Sequence, residues 1–470
     1  MMKYDYLLSP AAQQALQAAL AQPLPQAFRL NTLKRDDVQG LAAQYGWQVE
    51  PVPFCSTGWV VRESAATPLS HTYEYRMGQY FIQEAASMLP VELFDFEATP
   101  APVILDMAAA PGGKTTHLVS SINDTGIVIA NDSSKNRLGS LRSNLRDWSA
   151  GSTAVTNLYG EMFGRLYPDT FDKVLLDAPC SMENLHTDMR EISDQERKSL
   201  SERQTRLLMS ALEAVRPGGE VVYSTCTLSP EEDEGVVDTV LRRYGRYVSV
   251  KPVSERLPVE APGLLADGAR AFLPEVAQAV RLWPHLYHTA GFFAVALLKH
   301  DSWSTENNQD APEVDRRQKT FADKFTRLSK RDHRILSERL LDFGFDLEAF
   351  TRCYQFDLYK LSEKIFAIPA QFPRLFNTLA FSQVGLLLAE LQGDTVIPSH
   401  ELVTRCPTDF EDRHTLPQDA VEGWLVGRDV PNSFKAEGAL ILQDEMGRFI
   451  GVGLAQHKRI RNLLPTRVKS

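Results

Sequence analysis

The sequence lacks the long apolar runs and the paired cysteines that mark membrane-spanning and disulfide-bonded secreted proteins. No stretch of about 18 apolar residues occurs, and residues 1–6 contain no apolar signal core. The 5 cysteines are scattered over 470 residues, and none forms a CxxC or Cys/His pattern with zinc spacing. These absences predict a cytoplasmic protein with reduced thiols and with no membrane partner, disulfide framework or bound metal.

The composition is that of an ordinary globular protein, with 43 % hydrophobic and 23 % charged residues. The formal net charge of −10 disfavours a polyanion bound over the whole surface, because phosphate contacts need lysine and arginine. Two stretches are nevertheless basic: residues 316–334 carry eight Lys/Arg against two acids, and residues 457–470 carry five and no acid. Nucleic-acid binding would be confined to such surfaces, unless both are simply solvated faces.

Strand-like and helix-like segments alternate from about residue 80 to about residue 300, which is typical of a mostly parallel α/β sheet. The clearest helix is predicted over residues 193–215, with Pro217-Gly-Gly219 as its stop signal, and a last hairpin-like pair includes residues 292–298. The apolar runs predict strands near 102–106, 126–132, 153–156, 172–177 and 219–225.

Two cysteine tripeptides follow two of these strands, Pro179-Cys180-Ser181 and Thr225-Cys226-Thr227. The carboxyl ends of neighbouring parallel strands open into one crevice, so both thiols are expected to face a single substrate. A thiolate is accessible near neutral pH and is a good nucleophile. An isolated cysteine more often packs as a small hydrophobic side chain, but Asp177 ahead of Cys180 and a ligand-type loop upstream favour a catalytic pair.

That loop, Asp106-Met-Ala-Ala-Ala-Pro-Gly-Gly-Lys114, leads from a strand into a helix predicted to begin near Lys114. Its small side chains let a ligand approach the backbone and the N–H groups at the helix start. Its glycine spacing fits neither a Walker loop nor the dinucleotide GxGxxG pattern. The next strand ends at Asp132, whose carboxylate can accept hydrogen bonds from ribose hydroxyls. Loop and acid suit an adenosyl ligand without phosphate, although a chance turn with a capping Asp would look similar.

Three motifs in this order resemble the signature of the NOL/NOP/sun-type RNA cytosine-5 methyltransferases. They are the loop from Asp106 to Lys114, Leu176-Asp-Ala-Pro-Cys-Ser181 and Tyr223-Ser-Thr-Cys-Thr227. Segments 28–34, 80–87 and 281–293 are similar to further motifs of the family, so the resemblance spans about residues 28–299.

The resemblance implies an α/β fold: a Rossmann-like class I methyltransferase domain with an N-terminal α+β domain and a C-terminal β-rich PUA-like domain. The expected units are an RNA-binding N-terminal domain at 1–78, the methyltransferase domain at 79–300, a linker at 301–315, a small middle domain at 316–392 and a PUA-like RNA-binding domain at 393–470.

The resemblance implies a role for each residue that matches a functional position of the family. Cys226 matches the nucleophile, Cys180 the second cysteine that helps to release the product, and Lys114 and Asp177 the polar residues around the cytosine. The residues that match the S-adenosylmethionine site are Ala108, Ala109, Ala110, Pro111, Gly112, Gly113, Lys114, Asp132 and Asp177.

The chemistry requires such groups because C5 of cytosine is a poor carbon nucleophile. A thiolate that adds to C6 converts the ring into an enamine, which can attack an electrophilic methyl at C5. An acid near N3 stabilises this adduct, so Asp177 is expected to be protonated or to share a proton with the ring. The C5 proton and the thiol must then leave, with Cys180 as base or assistant.

A basic tail behind a small β-rich domain is most similar to a bacterial branch of the family that methylates 16S rRNA. The resemblance thus implies an rRNA partner within the small ribosomal subunit, and a monomer is favoured. The same reaction on tRNA stays open, as does a non-catalytic RNA-binding factor in ribosome assembly.

Two segments depart from the family pattern. The family commonly has Ser-Gly-Glu-Gly after the first cysteine, whereas this chain has Ser181-Met-Glu-Asn184. If position 182 requires a positive φ, methionine there costs about 1–2 kcal/mol. Tyr159 stands where the family has an acid that recognises the adenine amino group, and neither Tyr159 nor Glu161 is assigned that contact.

Overall fold

The computed structural model describes residues 4–63, 67–185, 192–268, 270–303 and 321–469. They form four sheets of four or more strands and one short hairpin, Ala266–Asp267 with Arg270–Ala271. Within these ranges, no helix is long and apolar enough to cross a membrane. Most of the predicted linker at 301–315 lies outside the described residues.

The N-terminal sheet is antiparallel, with the spatial order Gln48–Val52, Cys55–Glu63, Ala27–Leu30 and Tyr80–Ile82. Phe28, Leu41, Trp47 and Tyr80 form the centre of its core. Its last strand lies beyond residue 78, so the hydrogen-bonded sheet continues into the segment predicted to begin the next domain. The helices of this region are Pro10–Leu20, Val38–Tyr45 and Tyr73–Arg76.

The central sheet is Rossmann-like, with 9 strands and helices around it. From edge to edge its strands are Val248–Val250, Phe292–Lys299, Val215–Thr225, Phe171–Asp177, Val103–Asp106, Ile127–Asn131, Thr153–Thr156 and Gln383–Val384, and Val280–Leu282 also pairs with Phe292–Lys299. Its helices are Leu89–Glu92, Gly113–Ser121, Leu138–Trp148, Phe163–Leu166, Asp194–Ala214, Glu234–Tyr244 and Pro284–Tyr287.

Val103–Asp106 lies where the strand order reverses. It pairs in parallel with Ile127–Asn131 on one side and with Phe171–Asp177 on the other. In open α/β sheets, ligands bind outside the carboxyl ends of the strands at such a point. Both faces of the sheet are buried, since Val174 and Leu175 belong to different hydrophobic clusters. This explains why the strands read as continuous apolar runs in the sequence.

The five predicted strands are present, but two features of the sheet differ from expectation. The long helix ends at Ala214, and the next strand begins at Val215 and contains Pro217-Gly-Gly219, so the predicted stop signal lies inside a strand. Val215 pairs with Phe171, which shows that sheet pairing ends the helix before the proline is reached. In addition, Gln383–Val384 pairs antiparallel with Thr153–Thr156 at the sheet edge, a long-range pairing that the sequence did not reveal.

Residues 321–469 form two five-stranded sheets around one shared core. Strands Leu386–Gln392 and Thr395–Pro398 pair across the predicted boundary at 392/393. The first sheet has the order Thr326–Arg327, Phe356–Leu361, Lys364–Pro369, Leu386–Gln392 and Thr395–Pro398, and the second Arg413–Thr415, Gly438–Gln443, Phe449–Ala455, Arg459–Asn462 and Val430–Pro431. The helices are Phe321–Lys324, Lys330–Asp342, Leu347–Tyr354, Phe372–Phe376, His400–Arg405 and Gln418–Leu425.

A buried ion pair ties this C-terminal region to the central sheet. The Arg405 guanidinium donates to the Asp124 carboxylate and, at 2.8 Å, to the Ser149 carbonyl. The carboxylate also accepts from the Gly151 and Ser152 amides at 2.8–3.1 Å. Both charged side chains are at most 1 % exposed, so each depends on the other for compensation.

We expect Arg405→Met to lower the free energy of unfolding by about 3–5 kcal/mol, because the Asp124 charge stays buried without its cation. Arg331→Met is the matched control, since Arg331 and Asp394 are 75 % and 70 % exposed and such pairs contribute about 0–1 kcal/mol. Urea denaturation followed by circular dichroism measures both. Equal effects of the two substitutions would contradict the assigned role of the buried pair.

Candidate active site

The structure brings the two cysteines of the tripeptides into contact. Their strands, Phe171–Asp177 and Val215–Thr225, are parallel neighbours, with Asp177 opposite Ser224. The segments that follow the two strands leave the sheet at the same edge, and the Cys180 and Cys226 sulfurs lie 3.3 Å apart. The loops are also joined by a 3.0 Å hydrogen bond between the hydroxyls of Ser181 and Thr227.

The two thiols have opposite electrostatic environments. The hydrogen bond from Cys180 lowers the pKa of Cys226, with a smaller contribution from the Lys114 ammonium, and together these outweigh burial and the Asp177 charge. The same hydrogen bond, followed by burial, raises the pKa of Cys180 well above that of an ordinary thiol. The arrangement therefore favours ionisation of Cys226 over ionisation of Cys180.

Lys114 and Asp177 form an ion pair beside the thiols. Lys114 Nζ lies 2.7 Å from Asp177 Oδ2, and the Ser224 hydroxyl donates to Asp177 Oδ1 at 2.7 Å. Burial alone would lower the pKa of Lys114, but Asp177 and, less strongly, Cys226 raise it overall. Lys114 and Ser224 therefore hold both carboxyl oxygens of Asp177 in place beside the thiols.

The predicted ligand loop connects Val103–Asp106 to the helix Gly113–Ser121. The Ala109 amide donates to the Asn131 carbonyl at 2.7 Å, and the Asn144 side chain donates to the Pro111 carbonyl at 2.8 Å. Gly112 precedes the helix with φ +113°, a conformation that glycine adopts without strain. Ala108, Ala110 and Gly113 complete this backbone-lined segment at the switch point of the sheet.

Asp132, the expected partner of ribose hydroxyls, is buried in this structure. It accepts hydrogen bonds from the Ala110 amide at 3.2 Å and the Ser134 amide at 2.9 Å. Arg137 lies 3.3 Å from its Oδ2 and also donates to the Ala110 carbonyl. Asp132 thus holds the loop in place, and its direct contact with a ligand stays a prediction.

Asp106 is a polar group of the site to which sequence analysis gave no role. It is fully buried, and its Oδ2 accepts a 2.7 Å hydrogen bond from the Thr115 hydroxyl. Burial raises the pKa of Asp106 to about 7, despite the Thr115 hydrogen bond, with the Asp177 charge as a smaller cause. Its position as the last residue of a buried strand was the only signal in the sequence.

Position 182, where the family commonly has glycine, does have a positive φ. Met182 has φ +63° and is 54 % exposed, so it adopts a strained backbone without burying its side chain. The loop is instead held by its neighbours: the Ser181 amide donates to Glu232 at 3.0 Å, and Arg197 donates to Glu183 at 2.6 Å. Glu232 and Arg197 were missed by sequence analysis because their partners are distant in the chain.

Tyr159, which replaces the family's adenine-recognising acid, is 68 % exposed. Glu161 lies 3.8 Å from Arg203 in a half-buried ion pair. Neither side chain shows an arrangement that assigns it to the adenine contact.

Arg29 and Arg281 lie in segments 28–34 and 281–293, which are similar to further motifs of the family. Each holds an element next to the site. Arg29 donates to the Gly113 carbonyl at 3.1 Å and to the Thr116 hydroxyl at 2.6 Å, which fixes the helix that carries Lys114. Arg281 forms buried ion pairs with Asp233 and Glu234 behind the Cys226 loop.

Two known families match the N-terminal and central parts of the chain, and named relatives match 95 % of it. The family described as 16S rRNA methyltransferase RsmB/F matches residues 96–298, and the N-terminal domain of 16S rRNA methyltransferase RsmF matches residues 1–85. Ribosomal RNA small subunit methyltransferase F of Serratia proteamaculans is 32 % identical over 459 residues, covering 95 % of this chain and 91 % of its own. The protein of that name from Aeromonas hydrophila is 33 % identical over 467 residues, 95 % of this chain and 92 % of its own.

Solved structures agree with these matches. A methyltransferase homolog protein from Pyrococcus horikoshii has 34 % sequence identity and a TM-score of 0.54, over 61 % of this chain and 90 % of its own. NSun6 from Pyrococcus horikoshii with SFG, at 22 % identity and a TM-score of 0.53 over 63 % of this chain and 96 % of its own, shares the fold. The resemblance read from the motifs is confirmed, and the chain belongs to the RsmB/F family of 16S rRNA methyltransferases.

Proposed function

We propose that this protein transfers a methyl group from S-adenosylmethionine to C5 of a cytosine in 16S rRNA, through a covalent bond between Cys226 and C6. The observation that carries the proposal is the pair of contacting thiols at 3.3 Å, beside the Lys114–Asp177 ion pair. A single nucleophilic cysteine would serve many reactions. A second, protonated thiol in contact with the first suits a reaction in which the covalent bond must later be eliminated.

The pKa values of the two thiols are shifted in opposite directions, and this determines the sequence of the proposed steps. Cys226 ionises first, because Cys180 donates a hydrogen bond to its thiolate. Once the Cys226 sulfur is bonded to C6, it is a thioether and no longer needs that hydrogen bond. The main cause of the raised pKa of Cys180 is then gone, so Cys180 releases its thiol proton to solvent and the resulting thiolate can accept the C5 proton. The C5 proton thus passes to Cys180 as the Cys226 sulfur leaves, which restores both groups.

Asp177 and Lys114 support the addition step from the other side of the ring. The adduct places electron density on N3, and an acid there stabilises it. Asp177 is held by Lys114 and Ser224, each at 2.7 Å, which fixes the position of its carboxyl group. We assign both residues to the cytosine, as the family motif implies.

The loop at 108–113 suits the adenosyl and methionine parts of the methyl donor. S-adenosylmethionine supplies an electrophilic methyl group when it is bound. The small side chains from Ala108 to Ala110, the backbone at Pro111 and the positive φ of Gly112 leave the main chain accessible at the helix start. Asp132, Lys114 and Asp177 are the polar residues that we assign to this site. No step requires a metal, and its absence from the reaction stays a prediction.

The RNA is expected to approach along basic surfaces, because the chain as a whole is acidic. Within the described residues, arginines of both basic stretches pair with acids, and in the second stretch Arg459 pairs with Asp429 and Arg467 with Asp147 and Glu401. Arg327, Arg331 and Arg334 pair with acids on the same surface. Lys458 and Arg461, on or beside the strand Arg459–Asn462, are exposed and in no ion pair with another described residue. We assign the second stretch to the RNA and propose a small-subunit substrate, a cytoplasmic location and a monomer.

Cys226→Ser should abolish methyl transfer to 16S rRNA and leave RNA affinity within about twofold, because only the nucleophile is lost. Cys180→Ala should instead accumulate a covalent protein–RNA adduct, since addition proceeds and release does not. Tritium transfer and denaturing gels measure the two effects. Cys353→Ser is the control, because Cys353 is an exposed cysteine outside the site. Turnover by Cys226→Ser, or an adduct that survives in Cys180→Ala/Cys226→Ser, would contradict the roles.

The reaction of Cys226 with iodoacetamide should show a pH midpoint below that of an ordinary thiol, about 8.5. Cys180→Ala and Lys114→Met should each move this midpoint upward, because each removes a group that favours the thiolate. Mass spectrometry of the peptide containing residue 226, after alkylation at a series of pH values, gives the midpoint. An unchanged midpoint in Cys180→Ala would show that the sulfur–sulfur contact does not stabilise the thiolate.

Lys458→Ala/Arg461→Ala should weaken binding of a 16S rRNA fragment and reduce its salt dependence by about 1–2 in log–log slope, as expected for two lost phosphate contacts. Arg331→Ala/Arg334→Ala is the matched control, and its slope should change less because those arginines already pair with acids. Fluorescence anisotropy at several salt concentrations measures both. A larger effect of the control pair would assign the RNA surface to the helix Lys330–Asp342.

A further inference from the structure

Three unlike metal-binding side chains converge away from the methyl-transfer site. Cys55 comes from the strand Cys55–Glu63, Glu92 ends the helix Leu89–Glu92, and His117 lies in the helix Gly113–Ser121. Their ligand atoms all lie within 4.8 Å of one another, with 3.1 Å from His117 Nε2 to Glu92 Oε1 and 3.8 Å from His117 Nε2 to Cys55 Sγ. It is the one such group among the described residues.

These separations match a tetrahedral zinc site. Bonds of about 2.0–2.3 Å to nitrogen, oxygen and sulfur place the ligand atoms about 3.3–3.8 Å apart. The His117–Glu92 and Cys55–His117 distances lie within a few tenths of an ångström of that range. One thiolate, one imidazole and one carboxylate is also a donor set that zinc accepts.

The cluster is enclosed. Cys55 and His117 are buried, and Nε2, the His117 nitrogen that faces Cys55 and Glu92, is the one that would bind the ion. An ion there would be held by side chains from three separate elements.

Arg29 would repel a bare cation, so the charge of the ligands that the ion takes is important. A divalent ion with one thiolate and one carboxylate is a neutral unit, so the Arg29 charge faces no net positive charge after binding. The thiol proton leaves to solvent when the metal–sulfur bond forms.

The cluster is accessible from one side. Glu92 is 28 % exposed, and it lines with His117 a cleft of about 350 Å³ that also includes Thr57 and Arg256. A metal can enter there, and a water molecule can complete a fourth position.

We propose that Cys55, Glu92 and His117 bind a zinc-class divalent cation that staples the N-terminal sheet to the methyltransferase domain. His117 lies one turn after Lys114 in the same helix, so the ion fixes the segment that presents Lys114 without touching the reaction. The sequence does not indicate this site, because its ligands come from three elements that are far apart in the chain. The proposal goes beyond the methyl transfer and does not depend on it.

The test is a Co²⁺ titration of Cys180→Ser/Cys226→Ser protein, in which the reactive thiols cannot bind the probe. We expect one equivalent of Co²⁺ with thiolate-to-cobalt absorption in the near ultraviolet, displaced by Zn²⁺. Adding Cys55→Ser or His117→Ala should remove that absorption and weaken binding by about 100-fold or more, the scale of lost ligand support. Adding Cys353→Ser, at an exposed cysteine, should change neither.

Thermal unfolding provides a second measurement on the folded protein. Zn²⁺ should raise the unfolding temperature of the full chain and of Cys353→Ser, and should not raise that of Glu92→Gln or His117→Ala. Absence of saturable Co²⁺ binding overturns the proposal, as does cobalt–thiolate absorption that persists in Cys55→Ser. Both measurements omit RNA and S-adenosylmethionine, so they are independent of whether the protein methylates rRNA.

Discussion

The parallel register between two neighbouring strands is the constraint on which the site depends. Phe171–Asp177 and Val215–Thr225 run side by side, so Asp177 stands opposite Ser224 and each chain reaches its cysteine a few residues later. A one-residue slip would turn every side chain to the other face and separate the sulfurs. The register is fixed by residues such as Val174, Leu175 and Leu176, which are buried on both faces of the sheet. Core packing far from the thiols thereby sets their distance.

Beside the contact between the two sulfurs, the buried Lys114 ammonium interacts with several anionic groups. Lys114 pairs with Asp177, favours the Cys226 thiolate and lies near Asp106. In an enclosed site, each of these negative groups raises the cost of ionising the next. The hydrogen bond from Cys180 allows Cys226 to carry charge without a second cation. Arg29 donates to the Gly113 carbonyl and so holds the helix that carries Lys114. The same helix therefore supplies the cation of the site and is fixed by a buried arginine.

Sequence patterns predicted the parts of the fold that local chemistry determines. The five strands, the ligand loop and the cysteine pair could be read because buried parallel strands are apolar runs and functional residues follow their carboxyl ends. What failed depends on long-range contacts: the helix before Val215 ends through sheet pairing, and Gln383–Val384 joins the central sheet from a distant segment. Within the site, the sequence did not reveal that Asp132 accepts a hydrogen bond from the Ala110 amide and pairs with Arg137, because these partners come from other segments.

The short strand Gln383–Val384 also changes how the central sheet meets its surroundings. It covers the open edge of Thr153–Thr156, and the Ser382 and Gly385 amides donate to carbonyls of that strand at 2.8 and 2.9 Å. An uncovered edge strand presents unpaired backbone groups that recruit other chains. A chain shortened before residue 383 would therefore expose these backbone groups to other chains, and it would also lose Arg405, the buried partner of Asp124.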